Sequence, residues 1–309
     1  VFSGGPEPQL DANNRPLLDA AGLPLLAPIT SIERYRRTLL FTAQGLSPAE
    51  VRTLGGGASQ FSIAAGQPLT AFSQVDAGVF VQDDWQVRPG LSVNAGLRYE
   101  AQSHLHDWTD AAPRVSFGWA PGARRGRATK TVIRGGTGMF YDRFGENLLL
   151  ATRRYDGITQ RQFVVHNPSF FPDVPSVQYL LAHNEPQIVR RADSRLRAPY
   201  IIQSALGIER QLPFNFVVAT TFTNTHAVHL LRSSDLLAPA ARNIYQYESD
   251  GIMNQNQLIT NVSRRLGARG SLFGYYVYGR SYSNTDSANT FPANSNDLRS
   301  EYSRAAMDV

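Results

Sequence analysis

The chain has 309 residues, 42% hydrophobic and 18% charged, and its 30 Lys+Arg against 25 Asp+Glu leave a net charge of +5. This composition excludes low complexity, and the basic excess, all arginine apart from Lys130, is too small and too dispersed for a nucleic-acid partner. Cysteine is absent, which removes disulfides, thiolate metal sites and cysteine nucleophiles together, and no stretch approaches the roughly 18 apolar residues of a membrane helix.

In chain order, residues 1–76 come first and are punctuated by Asp11-Ala-Asn-Asn-Arg-Pro, Gly22-Leu-Pro and the run Gly55-Gly-Gly. Ser31–Thr42 is a strand candidate there. Ser47-Pro-Ala-Glu50 combines a capping serine, a proline at the first helical position and a glutamate three residues after the cap, and predicts a short helix over 48–54. From Ala77 onward the apolar period is two. Ala77, Val79, Val81, Trp85 and Val87 fall on one face of a first strand, and Arg88-Pro89-Gly90 supplies a reversal. In the next strand Leu91, Val93, Leu97 and Tyr99 share one face while Asn94, Arg98 and Glu100 share the other. Further strands are expected at 113–120, 130–141, 200–211, 214–225, 256–266 and 270–282, with a last one opening near Glu301. The chain starts at Val1 without a charged-then-apolar leader and stops at Asp308-Val309 within a strand-like pattern, which predicts a piece of a longer protein.

Most of these strands are longer than the usual five or six residues and match the 9–11 or so that a tilted strand needs to cross hydrocarbon. The gaps between them fall at 88–90, 103–112, 121–129, 142–199, 212–213, 226–255, 267–269 and 283–300, each shorter one followed by a longer one. Tight turns on one edge and long loops on the other are the organisation of an outer-membrane barrel. Mean hydropathy of −0.27 fits a barrel with one wet face. Trp85, Tyr99, Trp119 and Phe140-Tyr141 lie toward strand ends, where an interfacial aromatic girdle sits. The expected fold class is therefore all-β: an antiparallel transmembrane barrel fragment over 77–309, preceded by a loop-rich segment over 1–76.

The chemical motifs are weaker. His104-Leu-His106-Asp107 with Asp110 has metal-ligand side chains but no further convergent ligand, so a polar loop is the better reading and no metal is expected. Asp83 and Asp84 are consecutive strand residues on opposite faces and cannot share a proton. Arg134-Gly-Gly-Thr-Gly138 lacks the lysine of a phosphate loop and lies inside a strand pattern. Nothing indicates an enzyme or a cofactor. The 142–199 gap, read as irregular, is long enough to carry function, and Tyr155, Phe163, Phe170, Phe171 and Tyr179 with Arg153, Arg154, Arg190 and Arg191 could stack on and hydrogen-bond a sugar or an anionic chelate.

"QDDW" (82–85), "LRYE" (97–100), "APR" (112–114), "IRGG" (133–136) and "FYDR" (140–143), in that order, resemble the barrel of TonB-dependent outer-membrane receptors, most closely the Oar-like subgroup with a carboxypeptidase-regulatory-like amino-terminal domain. "LRAPY", "QSALGIERQL" and "FPANSNDLRSEYSRA" are similar too, so the resemblance runs from about Val75 to the end. It implies a barrel of about 22 strands around a plug. It also implies a Gram-negative outer membrane as the location, outer-membrane lipid and the TonB complex as partners, the latter through a plug of the parent protein, and energised uptake of a bulky scarce ligand such as a siderophore, glycan or peptide. The alternatives in other classes are a passive surface adhesin and a secreted β-sandwich binding module.

Overall fold

The computed structural model describes every residue except 106, 125–128, 184–186, 237–242, 268–269, 296 and 307–309. In chain order its elements are β1 (Gly5–Pro8), β2 (Leu26–Ile29), α1 (Ser31–Ala43), α2 (Pro48–Thr53), β3 (Gln60–Gly66), β4 (Asp76–Arg88), β5 (Leu91–Gln102), β6 (Ala111–Trp119) and β7 (Thr131–Tyr141). There follow α3 (Glu146–Arg154), β8 (Gln160–His166), α4 (Val177–Ala182), β9 (Gln187–Ala192), β10 (Tyr200–Gln211), β11 (Phe216–Asp235), β12 (Asn243–Arg265), β13 (Ser271–Ser283) and the two-residue β14 (Ser303–Arg304). Two compact units divide the chain: Val1–Thr70 with Arg153–Arg190 and Leu237–Ile244, and the remainder.

The larger unit is built on a meander. β4, β5, β6, β7, β10, β11, β12 and β13 pair antiparallel, each with the next. Strand direction therefore alternates, so the connections at 89–90, 120–130, 212–215 and 266–270 share one end of the sheet, as expected, and those after β5, β7, β11 and β13 share the other; the sorting by length is only partial, because 120–130 is longer than the connections that follow β5 and β11. One lateral row runs Trp85, Val93, Phe117, Gly135, Leu206, Phe222, Leu258, Tyr278 across all eight strands. Apart from Val93 and Gly135, every member of that row leaves an aromatic or leucine side chain exposed. Gly135 interrupts the side chains because Phe117 and Leu206 close over it: a Cβ there would sit 2.7 Å from Phe117 Cε1. On the opposite face a parallel row reads Gln82, Gly96, Arg114, Gly138, Gln203, Thr225, Gln255, Ser281. The sheet thus has one apolar exposed face and one polar face, and Leu91, Val93, Leu97 and Tyr99 lie on the first while Asn94, Arg98 and Glu100 lie on the second. Asp84 is on the polar face and accepts a hydrogen bond from Asn94 Nδ2 at 2.6 Å, with Asp83 on the other side of the strand.

Three expectations are corrected. Ser31–Thr42 is helix α1, not a strand: Thr30 caps it by accepting from Glu33 N, and the buried positions Arg37, Thr38 and Phe41 recur at helical spacing. The 226–255 gap is mostly strand, since β11 runs on to Asp235 and β12 starts at Asn243. Above Phe222 the exposed face of β11 and β12 carries Asn224, His226, Asn256 and Asn254, with Arg280 beside them on β13, so the period-two signal lapses in these strands while the backbone ladder continues. The 142–199 gap is not irregular either. It holds α3, β8, α4 and β9, with Ser176 capping α4 by accepting from Tyr179 N at 3.1 Å. The predicted α2 has both bonds of its capping box, Ser47 N to Glu50 Oε2 at 2.7 Å and Glu50 N to Ser47 Oγ at 3.3 Å.

The smaller unit has its own core. β3 pairs with β8, and Phe163, Val165 and Leu180 are buried among Phe61, Ile63 and Phe170. Its amino-terminal end repeats Pro-x-Leu at Pro8, Pro16 and Pro24, with main-chain bonds Leu17 N to Gln9 O, Leu25 N to Leu17 O and Gln9 N to Leu25 O. Asp11 and Asp19 close the two intervening turns by accepting main-chain N–H groups two and four residues on.

Candidate functional site

The side chains singled out over 142–199 lie within the smaller unit, apart from Arg191, and divide into interior and surface groups. Phe163 is 0% exposed, because in β8 it alternates with Val165 toward the core. Phe170 packs edge-on to Phe61 at 5.0 Å, and Phe171 edge-on to Phe2 at 5.3 Å. These rings hold the segment together. Tyr179 is 45% exposed and stacks on His183 at 3.9 Å, while Arg153 and Arg191 are exposed at the ends of α3 and β9. Arg154 is half-buried and donates to Pro68 O at 3.3 Å, and Arg190 N donates to Tyr155 O at 2.7 Å. The structure does not gather all nine residues onto one surface. Phe61 and Leu180, which complete the interior, carry no chemical signal of their own and belong to it only through strand pairing and the cap of α4.

In the larger unit the polar face carries the charge. Arg98 pairs with Glu100, and Arg134 Nη1 lies 3.0 Å from Glu209 Oε2. The Arg114 guanidinium sits 4.3 Å from the centre of the Phe140 ring. Arg114, Arg134, Gly136, Gly138, Gln203 and Thr221 line an open groove of about 580 Å³ on this face. Small residues on its floor leave the room, and of its two arginines Arg134 is balanced by Glu209 while Arg114 leaves one positive charge.

At the long-loop end, His104 has a ring nitrogen 2.7 Å from Ser73 O, His106 lies outside the described residues, and no group of three or more metal-ligating side chains occurs among the described ones. Asp110, in the connection between β5 and β6, is buried with Oδ1 unpartnered. Burial pushes its carboxyl up to about 6, and the charges of Asp107 and Glu100 add to the shift. A carboxyl raised in the folded state stabilises that state while protonated, so stability is lost as pH rises from its ordinary 3.8 to about 6. Asp110→Asn is expected to abolish this decline. A thermal-melting series from pH 4 to pH 7 reads it, and an unchanged slope in the variant would assign the decline elsewhere.

A family described as "Outer membrane beta barrel domain" matches residues 41–110 and 105–309. The chain belongs to the outer-membrane β-barrel family. The exposed apolar face is therefore the lipid-facing surface, the polar face lines the lumen, and the protein resides in the outer membrane of a Gram-negative bacterium. Among solved structures the chain resembles the outer-membrane transporter YddB from Escherichia coli at 16% identity and a TM-score of 0.52, covering 75% of this chain and 26% of that one. It also matches the siderophore receptor PirA from Pseudomonas aeruginosa at 15% identity and a TM-score of 0.43, over 68% of this chain and 34% of that one. No curated relative matches. The likeness to YddB is one of fold, and the chain spans about a quarter of that barrel protein's length.

Proposed function

We propose that this chain is part of the barrel of a TonB-dependent receptor that takes up a bulky, scarce ligand from outside the cell. The observation that carries the reading is the 142–199 connection, which holds α3, β8, α4 and β9 and leaves the sheet at the end opposite the two-residue turn at 89–90. In an outer-membrane barrel that end is extracellular, where a receptor presents its binding surface. The fold likeness to a transporter supports the same reading. We assign the chain to the Oar-like subgroup on its motifs, with 77–309 as barrel and 1–76 as the loop-rich segment before it. The TonB complex acts through the plug of the parent protein. A siderophore, a glycan or a peptide is the ligand class, and Arg153, Tyr179 and Arg190 with their neighbours Arg154 and Tyr155 are its contacts on the extracellular segment.

The test is uptake by cells carrying the full-length receptor, with and without a functional TonB, using a labelled ferric siderophore, an oligosaccharide and an oligopeptide. Accumulation of one probe is expected to require TonB and to fall at least about tenfold when residues 156–190 are deleted and surface display is unchanged. Accumulation that ignores TonB favours the passive surface protein, and uptake that survives the deletion removes the segment from the binding site.

A further inference from the structure

Beyond Phe222 β11 and β12 continue together, but their register shifts twice between Val228 and Arg232. The first shift contains His229, whose φ is +59°, and the second sets Ser249 and Asp250 of β12 against the single residue Leu231 of β11. Bulges of this kind re-aim side chains. Gly251 permits the close packing, since a Cβ there would sit 2.6 Å from Leu230 O and from Thr285 Cγ2. The outcome is that Arg232 turns inward, its side chain only 2% exposed, with Nε 2.8 Å from Asp250 Oδ1. Nη1 and Nη2 have no hydrogen-bond partner among the described residues.

Arg232 is part of the wall of a cavity of about 190 Å³ at the long-loop end. The segment after β13 forms its other walls and is fastened to β11: Ser233 N donates to Thr290 O at 3.1 Å and Ser233 Oγ to Ala288 O at 2.7 Å. The segment is thus fastened by one main-chain bond and one bond from a side-chain hydroxyl. Its walls include Asp286 and Glu301, the apolar faces of Phe291 and Pro292, and Arg304. Glu301 Oε1 already accepts from Ala293 N and Asn294 N, which fixes its carboxylate in place.

Each buried N–H without an acceptor costs on the order of 1–3 kcal/mol, so a guanidinium end kept in this condition points to an acceptor supplied from outside the chain. The charges select what kind. Asp250 already balances Arg232, and Asp286 and Glu301 outnumber Arg304, so a phosphate or a carboxylate would enter against two carboxylates, and a cation would meet the buried guanidinium. A neutral hydroxyl both accepts and donates. A ring carrying several of them accepts from Arg232, donates to Asp286 and Glu301, and lays its C–H face on Phe291. We propose that this cavity binds one neutral sugar residue, the terminal hexose of a glycan outside the cell. The proposal goes beyond the uptake reading and does not rest on it, because it concerns binding alone.

The test is equilibrium binding to the purified full-length protein in detergent, in the absence of TonB. The probes are the methyl glycosides of glucose, galactose and mannose, with glucuronate, galacturonate and inorganic phosphate as competitors of another class. At least one methyl hexoside is expected to bind, and Glu301→Gln and Phe291→Ala are each expected to weaken it roughly tenfold. Arg232→Lys, which keeps the charge and loses the two-pronged donor, is expected to weaken it at least as much. Because that variant disturbs a buried guanidinium, the first two, read beside their melting curves, carry the test if it fails to fold. The proposal is overturned if the folded wild type binds no hexoside, if binding is unchanged in both Glu301→Gln and Phe291→Ala, or if phosphate or a uronate binds more tightly than every hexoside.

Discussion

Leu258→Arg is expected to destabilise the folded barrel by about 2–4 kcal/mol in lipid, the depth-dependent cost of an arginine on the lipid face near the midplane. Leu258 lies between Phe222 and Tyr278 in the apolar row, with Leu206 one strand further on, and all four are exposed in the isolated chain. Water would accept an arginine at such a position with a change of about 0.5 kcal/mol or less. Hydrocarbon does not, so the size of the loss reports the solvent. Gln257, next in sequence, points to the lumen opposite Thr223 and Gly279, and Gln257→Arg is expected to stay within about 0.5 kcal/mol of wild type. Denaturant unfolding of the full-length protein from lipid vesicles measures both. Equal losses at the two positions would mean that the faces are not separated as the register has them.

Register was legible in the sequence wherever one face met lipid. Leu91–Gln102 and Tyr200–Gln211 appear in the structure with the ends that their alternation predicted, because an apolar face against hydrocarbon and a polar face against the lumen impose period two on every residue between. Where that constraint ends, so does the signal. His226–Asp235 is strand by backbone pairing, yet both its faces are polar or covered, and only the coordinates reveal it. α1 is a different kind of miss. Thr30-x-x-Glu33 repeats the capping spacing of Ser47-x-x-Glu50 in α2, and it is this local signal, with Arg37, Thr38 and Phe41 buried at helical spacing, that distinguishes the segment from a strand. Among the site residues, Phe163 and Tyr179 were indistinguishable as letters. One is interior because β8 pairs with β3, and the other is outside because it lies on the open side of a two-turn helix. Arg232 carried no local signal at all, since what buries it is a segment some 50 residues further along the chain.

Arg37→Met is expected to loosen the smaller unit by about 1–3 kcal/mol, the cost of leaving buried acceptors without their donor, since Glu33 stays paired with Arg36. Arg37 is buried in α1 and connects three separate pieces of chain. Its Nη1 donates to Pro8 O at 2.8 Å and to Leu54 O at 3.1 Å, and its Nε to Glu33 Oε1 at 2.9 Å. Methionine preserves length and apolar stem but leaves two buried carbonyls without their donor. Arg36 remains bonded to Glu33 in the variant, so the helix itself is expected to persist while β1 and the end of α2 come free of it. Hydrogen exchange distinguishes this from global unfolding: protection should fall in β1, α1 and α2 and stay unchanged in Leu91–Gln102. Acid gives a second reading. The hydrogen bonds from Arg36 and then Arg37 hold the Glu33 carboxyl down to about 2 from its ordinary 4.5, so the stability it contributes is complete above 4.5 and lost as pH falls toward 2. With Arg37 gone the Glu33 carboxyl titrates at a higher pH, and the acid loss of protection in α1 should begin earlier in the descent than in wild type. If protection in β1 is the same in both proteins at neutral pH, the bonds to Pro8 and Leu54 contribute nothing and the amino-terminal repeat is held by its own turns.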